Sequence, residues 1–181
     1  LVREAHQRGI RVIMDWVTNH AGPVFEYTGL DSKWSPDKAK EIGAWTYPLG
    51  PSELAQPEHF SRRGVIDNWK DPAQAVRGDF PPNYRHFAGD RKETQDLLVR
   101  IVKWWIKETA VDGARLDAIK HLAPGLLPHL TREIREYAAS LGKKNFWRVG
   151  ENSSGVDEEV VPFLGSQGVD SVYNYPSYRR D

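Results

Sequence analysis

Short apolar runs that end in polar clusters occur three times along the chain. They are Val12–His20, Val111–His121 and Phe146–Asn152. Apolar runs of this length are typical of buried strands in a parallel sheet. Because the carboxyl ends of parallel strands meet at one edge of the sheet, we expect Asp117 and Glu151, which come from different strands, to face each other across one pocket.

The segments between and after these runs show the apolar spacing of helices. Thr94 is predicted to cap a helix that runs to about Thr109, and Leu126–Leu141 predicts a second helix. Val156–Leu164 predicts a weaker third helix, and Val169–Tyr175 has the character of a further strand. Strands that alternate with helices in this way indicate right-handed βαβ units and a parallel α/β sheet.

The stretch from 21 to 93 breaks this alternation. It is rich in Pro, Gly and aromatic residues, and an unstructured loop of that length is improbable inside a compact domain. We therefore predict two domains, an α/β domain formed by residues 1–20 and 94–181 and a subdomain inserted at residues 21–93.

Composition excludes several classes of protein. The 25 basic and 25 acidic residues balance, so neither a nucleic acid nor an anionic membrane is predicted as a partner. No apolar run is long enough to span a membrane, and the absence of Cys excludes disulfides and thiol chemistry while leaving the cellular compartment open. No organic cofactor and no protein partner are predicted.

The polar ends of the three runs contain ordered motifs. The motifs are D-x-x-x-N-H over Asp15, Asn19 and His20, then G-x-R-x-D-x-x-K-H over Gly113, Arg115, Asp117, Lys120 and His121, then the pair Gly150 and Glu151. In this order, each on a predicted strand, they resemble signature regions of the α-amylase family (glycoside hydrolase family 13), whose members are α-glucan-active (β/α)8 barrels.

The resemblance implies a partial (β/α)8 TIM barrel. The visible strands would be about the third to sixth of eight, with a long subdomain inserted after the first visible strand. The chain has no initiating Met, and Leu1–Arg8 has the pattern of the last turns of a helix that ends at Gly9, so we expect an internal segment of a longer protein. A third carboxylate of the family, on the seventh strand, would lie outside it, so the segment alone is expected to be inactive. Half a barrel also leaves two open sheet edges and much apolar surface, so the segment is expected to be prone to aggregation.

The resemblance also implies retaining cleavage of α-glucosidic bonds in starch, glycogen or maltodextrin. Asp117 would be the nucleophile that forms a covalent glycosyl intermediate, and Glu151 would be the general acid and base. Arg115 lies two residues before Asp117, on the same face of a strand, where it would hold that side chain as a carboxylate.

The remaining motif residues would bind substrate or support the site. By the family pattern His20, Arg115, Lys120 and His121 lie along the bound sugar chain, while Asp15 stabilises the site. Calcium is the candidate cofactor, with the Asn19 side chain and the backbone carbonyl of His121 as ligands. Asp79 and Asp90 are unranked candidates for further ligands.

Each assignment has a structural alternative. Arg115 and Asp117 could form a surface ion pair, Glu151 could cap a turn, His20 could be a buried structural histidine, and Lys120 with His121 could form a solvated turn. Aromatic residues of the insertion could stack on sugars or form the subdomain's core: Trp34, Trp45, Tyr47 and Trp69.

Other functions also compete with the hydrolase. They are an α-glucan transglycosylase or isomerase of the same family, and a non-catalytic relative that binds carbohydrate or a partner. A metal-dependent hydrolase built on Asp15, His20, Asp117 and His121 is disfavoured, because no H-x-H or H-E-x-x-H spacing is present.

Overall fold

The structure is a computed structural model that describes residues 1–178 of the 181-residue chain. In chain order, its strands are β1 (Ile13–Trp16), β2 (His20–Ala21), β3 (Phe25–Tyr27), β4 (Ile42–Trp45), β5 (Arg85–His86), β6 (Gly113–Leu116), β7 (Trp147–Gly150) and β8 (Ser171–Val172). Its α-helices are α1 (Val2–Gln7), α2 (Pro72–Ala75), α3 (Lys92–Thr109), α4 (Leu126–Ser140), α5 (Asp157–Val160) and α6 (Tyr175–Tyr178). Single 3-10 turns lie at Thr28–Leu30, Ser52–Leu54, Pro57–His59, Ile119–His121 and Val161–Phe163.

The central feature is a parallel sheet in the order β1-β6-β7-β8. Strand β6 is followed by α4 before β7, and β7 is followed by α5 before β8. Parallel neighbours separated by helices in chain order are the repeating unit of an α/β barrel, so the predicted fold class, a partial barrel, is confirmed.

The described chain forms two compact units. The first comprises residues 1–17, 98–120 and 125 onward, and the second comprises 18–97 and 121–124. The predicted domain bounds of 1–20, 94–181 and 21–93 stay a prediction, and residues 179–181 of the predicted barrel segment lie outside the described part. Within residues 1–178, no helix has the length and apolar character needed to cross a membrane.

The core of the first unit is apolar and lies between the sheet and its helices. Ile106 of α3, Leu116 of β6, and Leu130 and Ile134 of α4 are each fully buried. Leu98 and Val102 of α3 are also buried, which accounts for the helical spacing seen in the sequence.

Two predicted element boundaries are wrong. Helix α3 begins at Lys92, so Thr94 lies within the helix and does not cap it. Thr94 is fully buried, and its hydroxyl hydrogen-bonds the Nδ1 atom of His59 at 3.0 Å. The last strand spans only Ser171–Val172, because Tyr175 already begins α6.

A buried ion pair organises the second unit. Arg85 donates to the Asp79 carboxylate at 3.0 Å and to the carbonyl of Phe25 at 2.9 Å. The Tyr27 hydroxyl donates to the same carboxylate at 2.6 Å, and the Arg85 guanidinium lies over the Tyr27 ring. Burial, together with the neighbouring Asp79 charge, raises the pKa of Tyr27, so the phenol stays a neutral donor. Asp79 therefore holds the unit's core together.

Candidate active site

The ends of three parallel strands position the predicted catalytic residues. Asp15 in β1 lies opposite Arg115 in β6, while Asp117 and Glu151 are the first residues after β6 and β7. The strand ladder continues past these ends, because the Asp117 N–H donates to the Trp16 carbonyl at 3.1 Å and the Glu151 N–H donates to the Leu116 carbonyl at 2.9 Å. Backbone hydrogen bonds thus set the height of both carboxylates at the carboxyl edge of the sheet.

One guanidinium contacts all three carboxylates. Arg115 donates from one terminal nitrogen to Asp15 at 2.8 Å and to Asp117 at 2.5 Å, and its other terminal nitrogen lies 2.7 Å from Glu151. The two carboxylates predicted to catalyse the reaction therefore lie close together. The Arg115, Asp117 and Glu151 side chains are 17%, 17% and 26% exposed, so all three are partly shielded from water and still reachable from solvent.

Arg115 stays positively charged. Partial burial lowers the pKa of Arg115, but its hydrogen bonds to Asp15 and Asp117 and the charges of Asp117 and Glu151 raise the pKa by more. The net pKa lies above the usual range of arginine, so the guanidinium is cationic at any working pH. It offsets part of the repulsion within the carboxylate cluster.

Each predicted catalytic carboxylate is held through one of its two oxygens. Among the described residues, Asp117 accepts through Oδ1 alone, from Arg115. Glu151 accepts through Oε2, from Arg115 and from the backbone N–H of Ala118 at 3.3 Å. Within residues 1–178, Asp117 Oδ2 and Glu151 Oε1 carry no hydrogen bond. Ala118 has a φ of 49°, a left-handed conformation that costs about 1–3 kcal/mol in a residue other than glycine. The residue with the strained backbone is therefore the one whose N–H contacts Glu151.

The motif glycines are required by close packing around the site. A Cβ atom at Gly113 would lie 2.3 Å from the backbone oxygen of Trp147, and one at Gly150 would lie 2.4 Å from Cδ1 of buried Ile119. The glycines of the second and third motifs therefore let the strands that deliver Asp117 and Glu151 pack closely.

The second unit contains both predicted substrate-binding histidines. His20 pairs through β2 with His86 of β5, and its ring stacks on Tyr84 with 5.4 Å between ring centroids and 3° between ring planes. The His121 Nδ1 atom lies 2.9 Å from the Ala75 carbonyl oxygen, and its ring meets Trp69 edge to face at 5.3 Å. Both histidines are thus fixed by their neighbours.

Aromatic residues of the insertion differ in their surroundings. Phe80 contacts both His20 and His121, a position that the sequence did not single out. Trp69 and Tyr84 are 49% and 42% exposed and lie on the same two histidines. Trp45 instead packs on Phe25 and Phe60 in the unit's core.

The remaining predicted residues, Lys120 and Asn19, belong to different units. Lys120 is half-buried in the 3-10 turn Ile119–His121, at the end of the first unit. Asn19 is buried, and its backbone carbonyl accepts from the N–H of Phe87 at 3.0 Å.

The two predicted calcium ligands differ in how well their surroundings suit a cation. The side-chain oxygen of Asn19 is buried and has no hydrogen-bond partner among residues 1–178, which favours a cation ligand. However, the His121 carbonyl lies 3.4 Å from Nε2 of His86, whose ring occupies the position facing that oxygen. Imidazole nitrogen is a poor match for calcium, which prefers six to eight oxygen ligands.

Neither Asp79 nor Asp90, the two carboxylates considered from the sequence, is available to complete this set of donors. Asp79 is already bound by Arg85, Tyr27 and the backbone N–H of His86, and Asp90 pairs with Arg77 at the surface. Within the described part of the chain, no group of three or more His, Cys, Asp or Glu side chains is arranged to hold a metal ion. These donors do not fit calcium, and no catalytic step below depends on it.

Comparison with known proteins identifies the sequence relatives. A family model described as "Alpha amylase, catalytic domain" matches residues 1–180. An α-amylase of Streptomyces lividans is 25% identical over 97% of the chain and 23% of its own length. A cyclomaltodextrinase of Thermoanaerobacter pseudethanolicus is 26% identical over 97% of the chain and 26% of its own length.

A solved structure gives the same result for the fold. The crystal structure of a Geobacillus thermoleovorans α-amylase complexed with acarbose matches with a TM-score of 0.70 and 26% identity, over 98% of the chain and 33% of that protein. The chain therefore spans about a quarter to a third of the length of the proteins it resembles.

Proposed function

The chain belongs to the α-amylase family, and on that premise we propose that the whole protein is a retaining glycoside hydrolase acting on α-glucosidic bonds. Starch, glycogen and maltodextrins are the proposed substrates. The observation that carries the proposal is the contact of one guanidinium with both Asp117 and Glu151. A surface ion pair between Arg115 and Asp117 alone, which lie in or directly after β6, would not involve a carboxylate that follows the neighbouring strand β7.

The first chemical step is an attack by Asp117 on the anomeric carbon. Its Oδ2 atom, unencumbered by hydrogen bonds within the described residues, is the proposed nucleophile, while Arg115 holds Oδ1. As the carbon–oxygen bond to the leaving sugar breaks, Glu151 donates a proton to that oxygen. The product of this step is a glycosyl ester of Asp117 and a released sugar.

The second step reverses these roles. Glu151, now a carboxylate, takes a proton from water, and the resulting nucleophile attacks the anomeric carbon and displaces Asp117. We assign the proton transfers to Glu151 Oε1, since Oε2 is held by Arg115 and the Ala118 N–H. Two displacements at the same carbon leave the product in the α configuration.

Residues of the second unit have the proposed role of binding sugar. His20 and His121 would hydrogen-bond glucose hydroxyls, and exposed faces of Tyr84 and Trp69 beside them suit stacking on sugar rings. Lys120, which belongs to the first unit, has the same proposed role. A non-catalytic relative is disfavoured, because the chain retains both carboxylates and the arginine that orders them.

The test is substitution of the two carboxylates in the full-length protein. Asp117→Asn should abolish hydrolysis of maltooligosaccharides, and Glu151→Gln should do nearly the same while sparing substrates with good leaving groups, which need no proton. Glu136→Gln, an exposed carboxylate on α4, is the matched control. Circular dichroism verifies the fold, and nuclear magnetic resonance of the first product measures its anomeric configuration.

Two outcomes would contradict the proposal. If Asp117→Asn retained most of the activity, Asp117 could not be the nucleophile. A first product in the β configuration would exclude double displacement. Transfer of glucosyl units to sugar acceptors in place of water, seen in the same product analysis, would assign a transglycosylase.

A further inference from the structure

A cavity in the second unit is lined by four arginines. It has a volume of about 220 Å³, and its walls include Arg62, Arg63, Arg77 and Arg91, with Ser61 and His86 between them. None of these residues belongs to the cluster around Arg115. The volume is below the roughly 300–1,000 Å³ of pockets that hold drug-sized ligands, so a ligand of this cavity is small.

The positive charge of this cavity is poorly neutralised. Arg62 and Arg63 donate to the backbone carbonyls of Lys40 and Pro36 at 3.0 and 2.8 Å, and no carboxylate within residues 1–178 pairs with either. A carbonyl accepts a hydrogen bond but carries no full charge. Both guanidinium charges therefore lack a counter-ion in the part of the chain that the structure describes.

The other two arginines have long, solvent-exposed ion pairs. Arg77 lies 3.4 Å from Asp90, and Arg91 lies 3.8 Å from Glu93, with both arginine side chains about half exposed. Pairs of this length at the surface are weak and are readily exchanged for a better anion. Acidic side chains in the lining are Glu58 and Asp90, so the arginines outnumber them.

Arg62 has an unfavourable backbone conformation. Its φ is 53°, in the left-handed region that is unfavourable for residues other than glycine, and its backbone carbonyl accepts from the Lys40 N–H at 2.7 Å. The Nε atom of Arg62 is buried without a hydrogen-bond partner among the described residues. Strained backbone and unpaired donors of this kind concentrate at ligand sites.

We propose that this cavity is a binding site for the phosphate group of a small phosphorylated ligand, of the size of a sugar monophosphate. The planar fork of arginine matches the geometry of phosphate oxygens and binds them through paired hydrogen bonds. Arg77 and Arg91 at the rim exchange their weak carboxylate contacts for the phosphate, whose charge also offsets that of Arg62 and Arg63. This site does not depend on the proposed hydrolase activity.

Isothermal titration calorimetry on the full-length protein tests the site directly. The probes are inorganic phosphate, glucose 6-phosphate and uncharged glucose, at fixed ionic strength. We expect saturable binding of the phosphate-bearing probes at one site and at least tenfold weaker binding in Arg77→Gln and in Arg91→Gln. Arg132→Gln is the control, because it removes a similarly exposed arginine on α4 that does not line the cavity.

The two phosphate probes distinguish the sources of the phosphate group. Tighter binding of glucose 6-phosphate than of inorganic phosphate shows that the cavity also accepts the sugar, and equal binding shows that the phosphate group alone is recognised. Either result supports the phosphate site. No saturable binding of either probe, equal weakening by Arg132→Gln, or equally tight binding of uncharged glucose would overturn it.

Binding should also persist in Asp117→Asn. Because that variant lacks the proposed nucleophile, its titration separates the two proposals. Loss of hydrolysis with intact phosphate binding supports both, whereas loss of phosphate binding in this variant would contradict a site outside the Arg115 cluster.

Discussion

Arg115 joins carboxylates that come from three neighbouring parallel strands. Its planar fork presents several N–H groups in fixed directions, so one side chain can contact Asp15, Asp117 and Glu151 together. A lysine ammonium is a compact charge without that geometry. The arginine therefore sets the orientation of both proposed catalytic groups as well as their charge.

Replacement by lysine separates geometry from charge. In the full-length protein, Arg115→Lys should lower kcat by about 100-fold, a loss comparable to removal of one preorganised donor. The fold should survive, because a cation still faces the carboxylates. Steady-state kinetics on maltooligosaccharides measures the effect, with Arg132→Lys as the control. A kcat within twofold of the wild type would show that the fork is dispensable.

His86 makes the stability of the second unit depend on pH. Burial lowers the pKa of His86 to about 4, whereas an unfolded chain binds that proton near the ordinary histidine pKa of about 6.5. Since the unfolded state binds more protons between these values, stability is full above about pH 6.5 and falls as the pH drops toward 4. The slope approaches about 1.4 kcal/mol per pH unit.

The variant His86→Gln isolates this contribution. Glutamine keeps hydrogen-bonding capacity, and we expect the variant to be less stable than wild type at pH 7. Because glutamine cannot be protonated in this range, the difference in stability between variant and wild type should become smaller at pH 5. Thermal unfolding at the two pH values measures the difference. A difference in Tm that stays constant from pH 7 to pH 5 would mean that His86 is protonated in the folded state as readily as in the unfolded state.

At the scale of elements, the contact of β6 with β7 depends on Gly113. A Cβ atom there would meet the backbone oxygen of Trp147 at 2.3 Å, and a paired strand cannot move away without losing its ladder. Gly113→Ala should therefore destabilise the full-length protein by about 1–3 kcal/mol, as overpacking does. Activity should fall too, because β6 carries Arg115.

A second glycine supplies the control for that substitution. Gly22 has open space where a Cβ atom would lie, so Gly22→Ala should change stability by less than about 0.5 kcal/mol. Denaturant unfolding compares the two variants with wild type. Equal stability of Gly113→Ala and wild type would mean that the two strands are not packed as closely as described.

The barrel elements were predictable because their patterns are local. Apolar spacing predicted α3 and α4 to within two residues, and Gly142, with a φ of 79°, follows α4 as expected. The start of α3 was missed because Thr94 has the chemistry of a cap but is buried beside His59. The length of β8 was overestimated, because neither its pairing with β7 nor the start of α6 is visible in the local sequence.

The cluster around Arg115 was predictable only in part. Spacing along β6 placed Arg115 beside Asp117, but its contacts with Asp15 and Glu151 depend on the register of β1 and β7 against β6. The second unit was least predictable, because its ion pair of Arg85 with Asp79 joins segments that carry no periodic pattern. Asp79, proposed as a calcium ligand, has that structural partner instead.

At the scale of the whole molecule, the described sheet has two open edges. Strands β1 and β8 each pair on one side only, and exposed strand edges favour association with other chains. Large apolar side chains of the first unit are also exposed, among them Trp104, Trp105 and Trp147. The relatives carry two thirds or more of their length outside the matched region.

These features predict the behaviour of the 181-residue chain expressed alone. It should self-associate in a concentration-dependent manner, since the β1 edge and the exposed tryptophans have no cover in the described chain. It should also lack hydrolytic activity, because the family pattern places a third carboxylate on a seventh strand and the parallel sheet of the described residues has four strands. Sedimentation velocity at several concentrations measures association, and maltooligosaccharide hydrolysis at equal molarity compares the chain with the full-length protein. A monomeric chain with activity near that of the full-length protein would show that the four-strand unit is sufficient for catalysis, and that Asp117 and Glu151 need no third carboxylate.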